Sequence, residues 1–481
     1  MAAPSHIFLI ICDQMRADCM GIAGHPDVKT PYLDSLALEG TLFSNAYSAC
    51  PSCIPARAAL MTGLSQRNHR RVGYQDGIPW EYDAMLPQRL NQLGWQTECV
   101  GKMHVHPPLL SCGFDHIKLH DGYLGYYRNP QKPYWQHQSV HDSYLHFLKQ
   151  RQGPDADVND CGPESNSWIT QPWIYDQASH PTNWAVTESI RSLQMRDRSR
   201  PFFLMTSFVR PHPPFDAPAE YLELYRHKAL REPAGSDWQA SGGEDDRRYD
   251  SRCGCRDTEV RQLAMAGYYA CITHMDHQIG RLLQAIQAEG ILEDSIILFT
   301  SDHGEELFDH GLFRKARPYQ GSIHIPLIVR VGKNIRSQQQ PAVCTDVVEL
   351  RDILPTLLSY AGQPVRDTDG VDLRPILEGE SAQSRNFLHG EHSYGEMSSH
   401  FIVTQQDKYI WYSQTGQEQY FRLCEDPREQ HDAIQEPGAR PRVEQLRSLL
   451  IRQLEGREEG FTDGRQLFTG KHTKKMLSGH V

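Results

Sequence analysis

Short apolar runs alternate along this chain with stretches whose apolar positions recur at helical spacing. His6 to Cys12 is an almost unbroken apolar run of the length of a buried strand. From Thr30-Pro31 onward, Leu33, Leu36, Ala37 and Leu38 follow a helical period that stops at Gly40. Cys53 to Thr62 reads as a short helix, with Pro55 in its first turn and Gly63 just past its end. Leu86–Leu93 predicts a helix ending at Gly94. Gln96–Val100 predicts a strand leading into Gly101-Lys102-Met103-His104. Further along, Thr182–Met195 and Val260–Ala288 read as helices, and Pro201–Phe208, Ser295–Thr300 and Ile325–Val331 as strands. Asp346–Tyr360 predicts one helix, kinked at Pro355.

This alternation predicts an α/β fold, a large and mostly parallel sheet flanked by helices. Residues 110–180 are rich in aromatic, His, Pro and Asn residues and read as long loops over a site. Glu232 to Arg256 is charged and Gly-rich and reads as an exposed insert. The pattern changes near residue 385. Beyond it, Phe401–Thr404 and Lys408–Tyr412 read as antiparallel strands, and a polar helix spans about Arg440 to Glu455. The predicted division is a catalytic domain over 1–385 and a smaller C-terminal α+β domain over 386–481. Lys471, Lys474 and Lys475 mark a basic tail expected to be a flexible end. No internal repeat is evident.

The 481 residues carry a net charge of −11 and no basic block, which argues against nucleic acid as a partner. No run reaches the ~20 apolar residues that span a bilayer, and no secretory signal is seen, so a cytoplasmic location is expected. An acidic protein that binds an anion needs a concentrated positive site. The 12 cysteines are too sparse for a disulfide scaffold and are expected to be free thiols. Cys50-Pro51-Ser52-Cys53 lacks the second pair that a zinc site requires. Cys253 and Cys255 lie in the polar insert and receive no role.

Candidate chemistry gathers at the ends of the predicted elements. Cys53 opens a helix, where unpaired N–H groups and the dipole favour an anion, and Arg57 lies one turn along. Asp13 with Gln14, and Asp302 with His303, close two apolar strands. In a parallel sheet such ends share one edge. Two carboxylates, an amide oxygen and an imidazole converging there suit a divalent cation. Lys102 and His104, two residues apart in an extended segment, point the same way. In Arg210-Pro211-His212-Pro213-Pro214 the prolines stiffen the loop around His212, which suits protonation of a leaving group. Lys315 is flanked by Arg314 and Arg317, so residue type alone does not single it out. Weaker candidates are Asn68, His69, Arg70, His324, Glu391, His392 and Ser393.

Cys53-Ile54-Pro55-Ala56-Arg57, followed by Leu60-Met61-Thr62-Gly63, resembles the signature of the type I, formylglycine-dependent sulfatases of the alkaline-phosphatase superfamily. Gly101-Lys102-Met103-His104 is similar to that family's Gly-Lys-x-His motif. The resemblance spans residues 13 to 315 and implies an alkaline-phosphatase-like fold. It also implies that Cys53 is oxidised to formylglycine by a formylglycine-generating enzyme and that the substrate is an aryl or carbohydrate sulfate ester. The implied metal ligands are Asp13, Gln14, Cys53, Asp302 and His303. Arg57, Lys102 and Lys315 would hold sulfate, His104 would handle the proton of the hydrated aldehyde, and His212 with Lys315 would protonate the leaving alcohol. Ca²⁺ is the family's usual ion. Gln14 and His303 stand where many sulfatases have Asp and Asn, which makes Mn²⁺ or Mg²⁺ realistic. Homo-oligomerisation is left open. Phosphonate monoester and phosphodiester hydrolases are also similar, through Asp13-Gln14-Met15-Arg16-Ala17-Asp18, Arg210-Pro211-His212-Pro213-Pro214-Phe215 and Ser301-Asp302-His303-Gly304-Glu305. That branch tends to carry Tyr and Thr where Lys102 and His104 stand, so the lysine–histidine pair favours a sulfatase. The competing non-enzymatic reading is an inert anion-binding protein with unconverted Cys53.

Overall fold

The structure, a computed structural model, describes residues 5–124, 128, 142–238, 251–252, 257–380 and 385–478. Its large sheet has eight strands: β1 (His6–Asp13), β2 (Thr41–Tyr47), β3 (Gln96–Gly101), β4 (His116–Leu119), β5 (Phe202–Pro211), β6 (Ser295–Ser301), β7 (Leu327–Val331) and β8 (Val343–Glu349). They lie in the order β4-β3-β5-β1-β6-β7-β2-β8. All neighbouring pairs are parallel except those of β7, which runs antiparallel to β6 and β2. The mostly parallel α/β architecture expected from the sequence is therefore present.

β1 lies near the middle of the sheet, and all eight of its residues are buried. Ile7, Leu9 and Ile11 pack into one layer with the helices Cys53–Thr62, Leu86–Gln92 and Ile353–Tyr360. Phe8, Ile10 and Cys12 pack into the other, with the helices Pro31–Glu39, Pro181–Met195 and Thr258–Ala288. Helices on both faces explain why the run does not alternate with polar residues. Truncating Leu9 to alanine would cost about 2–5 kcal/mol, because neither layer can close the gap.

Four expectations need correction. Asp346–Tyr360 is not one helix: strand β8 runs to Glu349, a short 3₁₀ turn covers Leu350–Asp352, and the helix is Ile353–Tyr360. Glu349 N–H donates to Asp352 Oδ2 at 2.8 Å, a reciprocal cap that ends the strand and starts the helix. Pro355 falls in the first helical turn, where its missing N–H disrupts nothing. Residues 110–180 are not all loop, since β4 and a helix, Ser143–Gln152, lie among them. The tail is not loose: Val72 N–H donates to Lys475 O at 3.1 Å and Leu477 N–H to Arg70 O at 2.8 Å. Lastly, the insert is not wholly exposed, because Arg252 returns to the central cavity and its carbonyl accepts from Phe313 N–H at 2.9 Å. Cys253 and Cys255 lie outside the described residues.

The second sheet is antiparallel, in the order β12-β11-β10-β9, from β9 (Leu388–His392), β10 (Ser399–Val403), β11 (Lys408–Tyr412) and β12 (Glu418–Phe421). Phe401, Val403, Ile410 and Tyr412 face Tyr47, Tyr319 and Val347. Ile402, Tyr409 and Trp411 face Val443, Leu446 and Leu450 of the Arg440–Leu454 helix. Among the described residues no helix is long and apolar enough to cross a membrane.

Candidate active site

β3, β5, β1 and β6 are adjacent and parallel, so their C-terminal ends form one continuous edge. From that edge come Lys102 and His104 after β3, His212 after β5, Asp13 at the end of β1, and Asp302 and His303 after β6. Residues 288 apart in sequence meet there: Gln14 N–H donates to Asp302 Oδ1 at 3.1 Å, and His303 N–H donates to the same oxygen at 3.0 Å.

Two glycines let this edge form. Gly101 has φ +106°, and a Cβ there would lie 1.8 Å from Ser207 O. The close approach lets Lys102 N–H donate to that carbonyl at 2.9 Å. At Gly304 a Cβ would meet Gly321 O at 2.0 Å. Gln14 and His104 themselves adopt left-handed backbones, φ 73° and 59°. Non-glycine residues there are strained, and surrounding bonds must hold them. For His104 the holder is Asp121, whose Oδ1 accepts from Met103 N–H at 3.0 Å and His104 N–H at 2.9 Å.

Cys53 is the first residue of its helix and is buried. Its Sγ lies 3.3 Å from His303 Nε2, 3.7 Å from Asp13 Oδ1 and 3.7 Å from Lys315 Nζ. Burial and the Asp13 carboxylate push the thiol up, but Lys315, Lys102 and His303 outweigh them and hold it below its usual range. Burial likewise opposes the charge on Asp13, yet the ammonium groups of Lys102 and Lys315 keep its carboxyl far below the ordinary value. Lys102 Nζ donates to Asp13 Oδ2, and Lys315 Nζ donates to Gln14 Oε1 at 2.6 Å.

Donor atoms of Asp13, Cys53, Asp302 and His303 all lie within 4.8 Å of one another. His303 Nδ1–H donates to Gly304 O at 2.9 Å, which leaves Nε2 toward the two carboxylates, at 3.5 and 3.6 Å. Burial opposes charge on the ring, but Asp302 and Cys53 push it up, and a bound cation would take the place of that proton on Nε2. This oxygen-rich set with one oriented imidazole fits a divalent cation. Gln14 Oε1 accepts from Lys315 Nζ at 2.6 Å, and that ammonium lies 3.7 Å from Cys53 Sγ.

Arg57 is not on the cavity wall, and its Nη2, 3.9 Å from Asp13 Oδ2, is buried without a hydrogen-bond partner. Its Nε donates to Asp302 Oδ2 at 2.9 Å, and its Nη1 to Lys102 O at 2.7 Å and Ser207 Oγ at 3.0 Å. It underpins the carboxylates and the Lys102 loop, instead of standing on the wall where sulfate was expected to meet it. Above this floor opens a cavity of 420 Å³ lined by Cys53, Lys102, His104, His212 and Lys315, with Tyr74, Arg252 and His392 among its wall residues. His104 is buried with neither ring nitrogen hydrogen-bonded, and its ring meets Tyr74 edge-on at 5.8 Å. Burial, with Lys102 and Arg57, holds it well below the usual histidine range. His212 Nδ1–H donates to Pro213 O at 2.8 Å. Burial and Lys315 hold this ring neutral, with its other lone pair free for a proton.

Among the weaker candidates, His392 lines the cavity. The others are not on its wall. Asn68 bonds Asp369 at 2.7 Å, His69 Nδ1 accepts from Arg71 N–H at 3.1 Å, and His324 Nε2–H donates to Ser44 O at 2.8 Å. Glu391 pairs with Arg457 at 2.8 Å. Arg70 and Ser393 are not on the cavity wall. Sequence reasoning missed Asp121, Ser207 and Glu305, whose partners come from distant strands. Only Glu305, within Ser301-Asp302-His303-Gly304-Glu305, carried a sequence signal.

A family model described as Sulfatase matches residues 5–363, and one described as N-sulphoglucosamine sulphohydrolase, C-terminal, matches residues 308–456. The chain is 45% identical over 468 residues to an arylsulfatase of Clostridium perfringens, covering 97% of each protein. It is 24% identical to an N-acetylglucosamine-6-O-sulfatase of Bacteroides thetaiotaomicron, covering 92% of this chain and 85% of that one. A solved phosphonate monoester hydrolase of Agrobacterium radiobacter superposes with a TM-score of 0.77 at 25% identity, covering 93% and 95%.

Proposed function

Because the chain belongs to the sulfatase family and is a sulfuric ester hydrolase, we propose that Cys53, matured to formylglycine by a formylglycine-generating enzyme, is its nucleophile. The observation that carries this reading is the position of Cys53 Sγ. It opens a helix on the cavity floor, 3.3 Å from His303 Nε2 and 3.7 Å from Asp13 Oδ1 and Lys315 Nζ.

Asp13, Gln14, Asp302, His303 and the residue at 53 would hold the divalent ion, with Mn²⁺, Mg²⁺ or Ca²⁺ as candidates. When bound, the ion supplies positive charge against the sulfate oxygens and the nucleophile. Lys102 and Lys315 add fixed cations in a site shielded from water, where they act strongly. With formylglycine in place, one hydroxyl of its hydrated aldehyde would pass its proton to the Asp13 carboxylate, whose Oδ1 lies 3.7 Å from Cys53 Sγ, and attack sulfur. The S–O bond to the alcohol would break, and the alcohol would take a proton. His212 is neutral in the free site, so the incoming anion must first favour its imidazolium; the Lys315 ammonium already carries a proton to give. In the second step His104, neutral and unpartnered, accepts the proton of the remaining hydroxyl. The C=O bond re-forms and sulfate leaves. Arg57 holds Asp302 and the Lys102 loop in place throughout.

The relatives support aryl and carbohydrate sulfates as the substrate class. The test is kcat/KM of matured protein on an aryl sulfate, a sulfated amino sugar and an aryl phosphonate, with the mass of the Cys53 peptide measured on the same sample. Loss of mass at Cys53 with a clear preference for sulfate supports the reading. Turnover with an unchanged thiol refutes the nucleophile. A preference for phosphonate would establish the second reading, which the superposition on a phosphonate monoester hydrolase motivates.

A further inference from the structure

Glu305 is fully buried and joins three segments that the cavity depends on. Its Oε2 accepts from Gln14 Nε2–H at the end of β1. Its Oε1 accepts from Leu307 N–H at 3.0 Å and from Arg314 N–H. Gln14 Oε1 in turn accepts from Lys315 Nζ at 2.6 Å. We propose that Glu305 is the positioning residue of this active site: it fixes which end of the Gln14 amide faces the cation-binding carboxylates and pins the loop that carries Lys315. The proposal rests on the reading of Gln14 as a ligand of the divalent ion.

The first half of the argument is the chemistry of an amide between two one-way partners. A carboxylate only accepts hydrogen bonds and an ammonium only donates them. With Glu305 on one side and Lys315 on the other, only one orientation of Gln14 satisfies both. That orientation presents the carbonyl oxygen, a hard donor, to Lys315 Nζ, which itself lies 3.7 Å from Cys53 Sγ. Reversed, the amide would aim N–H groups at a cation and ligate nothing. The pair Gln14–Glu305 therefore holds a neutral ligand with a buried carboxyl group directly behind it. Outer partners of this kind tune affinity for a metal ion.

The second half is strain. Between Glu305 and Arg317, Leu307, Phe308, His310, Arg314 and Ala316 all have positive φ, from 46° to 83°. Each such residue costs on the order of 1 kcal/mol or more and persists only where other bonds overdetermine it. Glu305 Oε1 spans this stretch, binding one N–H near its start and one beside Lys315.

The test is titration of the chelator-stripped full-length protein with MnCl₂ by calorimetry, beside steady-state kinetics on an aryl sulfate. Glu305→Gln places an NH₂ group opposite the Gln14 NH₂ group, so the Gln14 amide must reverse. Binding of Mn²⁺ should weaken about 10- to 100-fold. The exchange Gln14→Glu with Glu305→Gln restores a donor–acceptor match and the net charge, and should recover Mn²⁺ binding to within about fivefold of the native value. Native-like Mn²⁺ affinity in folded Glu305→Gln overturns the proposal. Should that variant not fold, the exchanged pair decides: folding with Mn²⁺ binding supports the role, and failure of both overturns it, making Glu305 a scaffold residue only. Wild-type protein that binds Mn²⁺ but does not hydrolyse sulfate would sink the functional reading and leave this result standing.

Discussion

Arg57→Lys separates two roles for the arginine of the motif. Arg57 makes three hydrogen bonds, to Asp302 Oδ2, Lys102 O and Ser207 Oγ. A lysine keeps the positive charge but has one ammonium on a flexible stem, without the planar fork. Asp302 is the strongest attractor, so the lysine retains that contact and abandons the other two. A bond from a charged donor contributes about 1.5–3 kcal/mol, so the gross loss is roughly 3–6 kcal/mol. A stability decrease near 3 kcal/mol is expected after partial relaxation. The Lys102 loop is then untethered and kcat should fall tenfold or more, in line with loss of one electrostatic contact. Three measurements decide: urea denaturation with chelator present, kcat on an aryl sulfate, and inhibition by inorganic sulfate. The expected pattern is a lower denaturation midpoint and kcat, with the sulfate inhibition constant changed less than about threefold, an energy below ~1 kcal/mol. Unchanged stability with tenfold weaker sulfate binding would refute the reasoning and make Arg57 a direct anion ligand.

Gly101→Ala forces a Cβ toward Ser207 O at a backbone angle alanine avoids, so β3 must part from β5. We expect a loss of about 3 kcal/mol or more, read as a lower Tm, and an inactive Lys102 loop. Chelation should abolish turnover while leaving circular dichroism unchanged, since Lys102 and Lys315 already neutralise the site. Added Mn²⁺ should restore activity and raise stability by about 2.7 kcal/mol at a hundredfold excess over Kd; chelation that unfolds the protein would contradict this. Burial pushes His400 down from 6.5 to about 3. The folded protein thus holds this ring neutral, and its contribution is present above pH 6.5 and lost as pH falls toward 3. His400→Gln removes that proton uptake on unfolding. Its stability should therefore drop less than that of the wild type between pH 7.5 and 5.5, by about 1.4 kcal/mol for the one unit below 6.5. Parallel pH profiles of the two proteins would rule this out.

Much of the molecule was legible in order of residues alone. The unbroken run of β1 announced a strand covered on both faces, because no polar position interrupts it. Pro55 and Gly63 bracketed the Cys53 helix, because each suits one end. Acidic residues just after apolar strands pointed to one edge, since parallel strands align their ends. β8 was lost in a predicted helix because Val347, Val348 and Glu349 are buried against partners that only the sheet supplies, and local spacing cannot reveal a neighbour 300 residues away. The tail was read as loose for the same reason: its backbone bonds go to Arg70 and Val72.

The sequence by itself determined the motif helix, the central strands β1, β3, β5 and β6 with their α/β alternation, and the set of groups able to handle an anionic ester. Only the folded chain decided how those groups divide their work. Arg57 faces Asp302 and not the cavity, His212 is held neutral, Asp121 braces His104, and Glu305 stands behind Gln14. A side chain's identity states what it can donate or accept. Which partner it meets, and whether water is present to compete, depends on segments brought together from far along the chain, and that is information only packing contains.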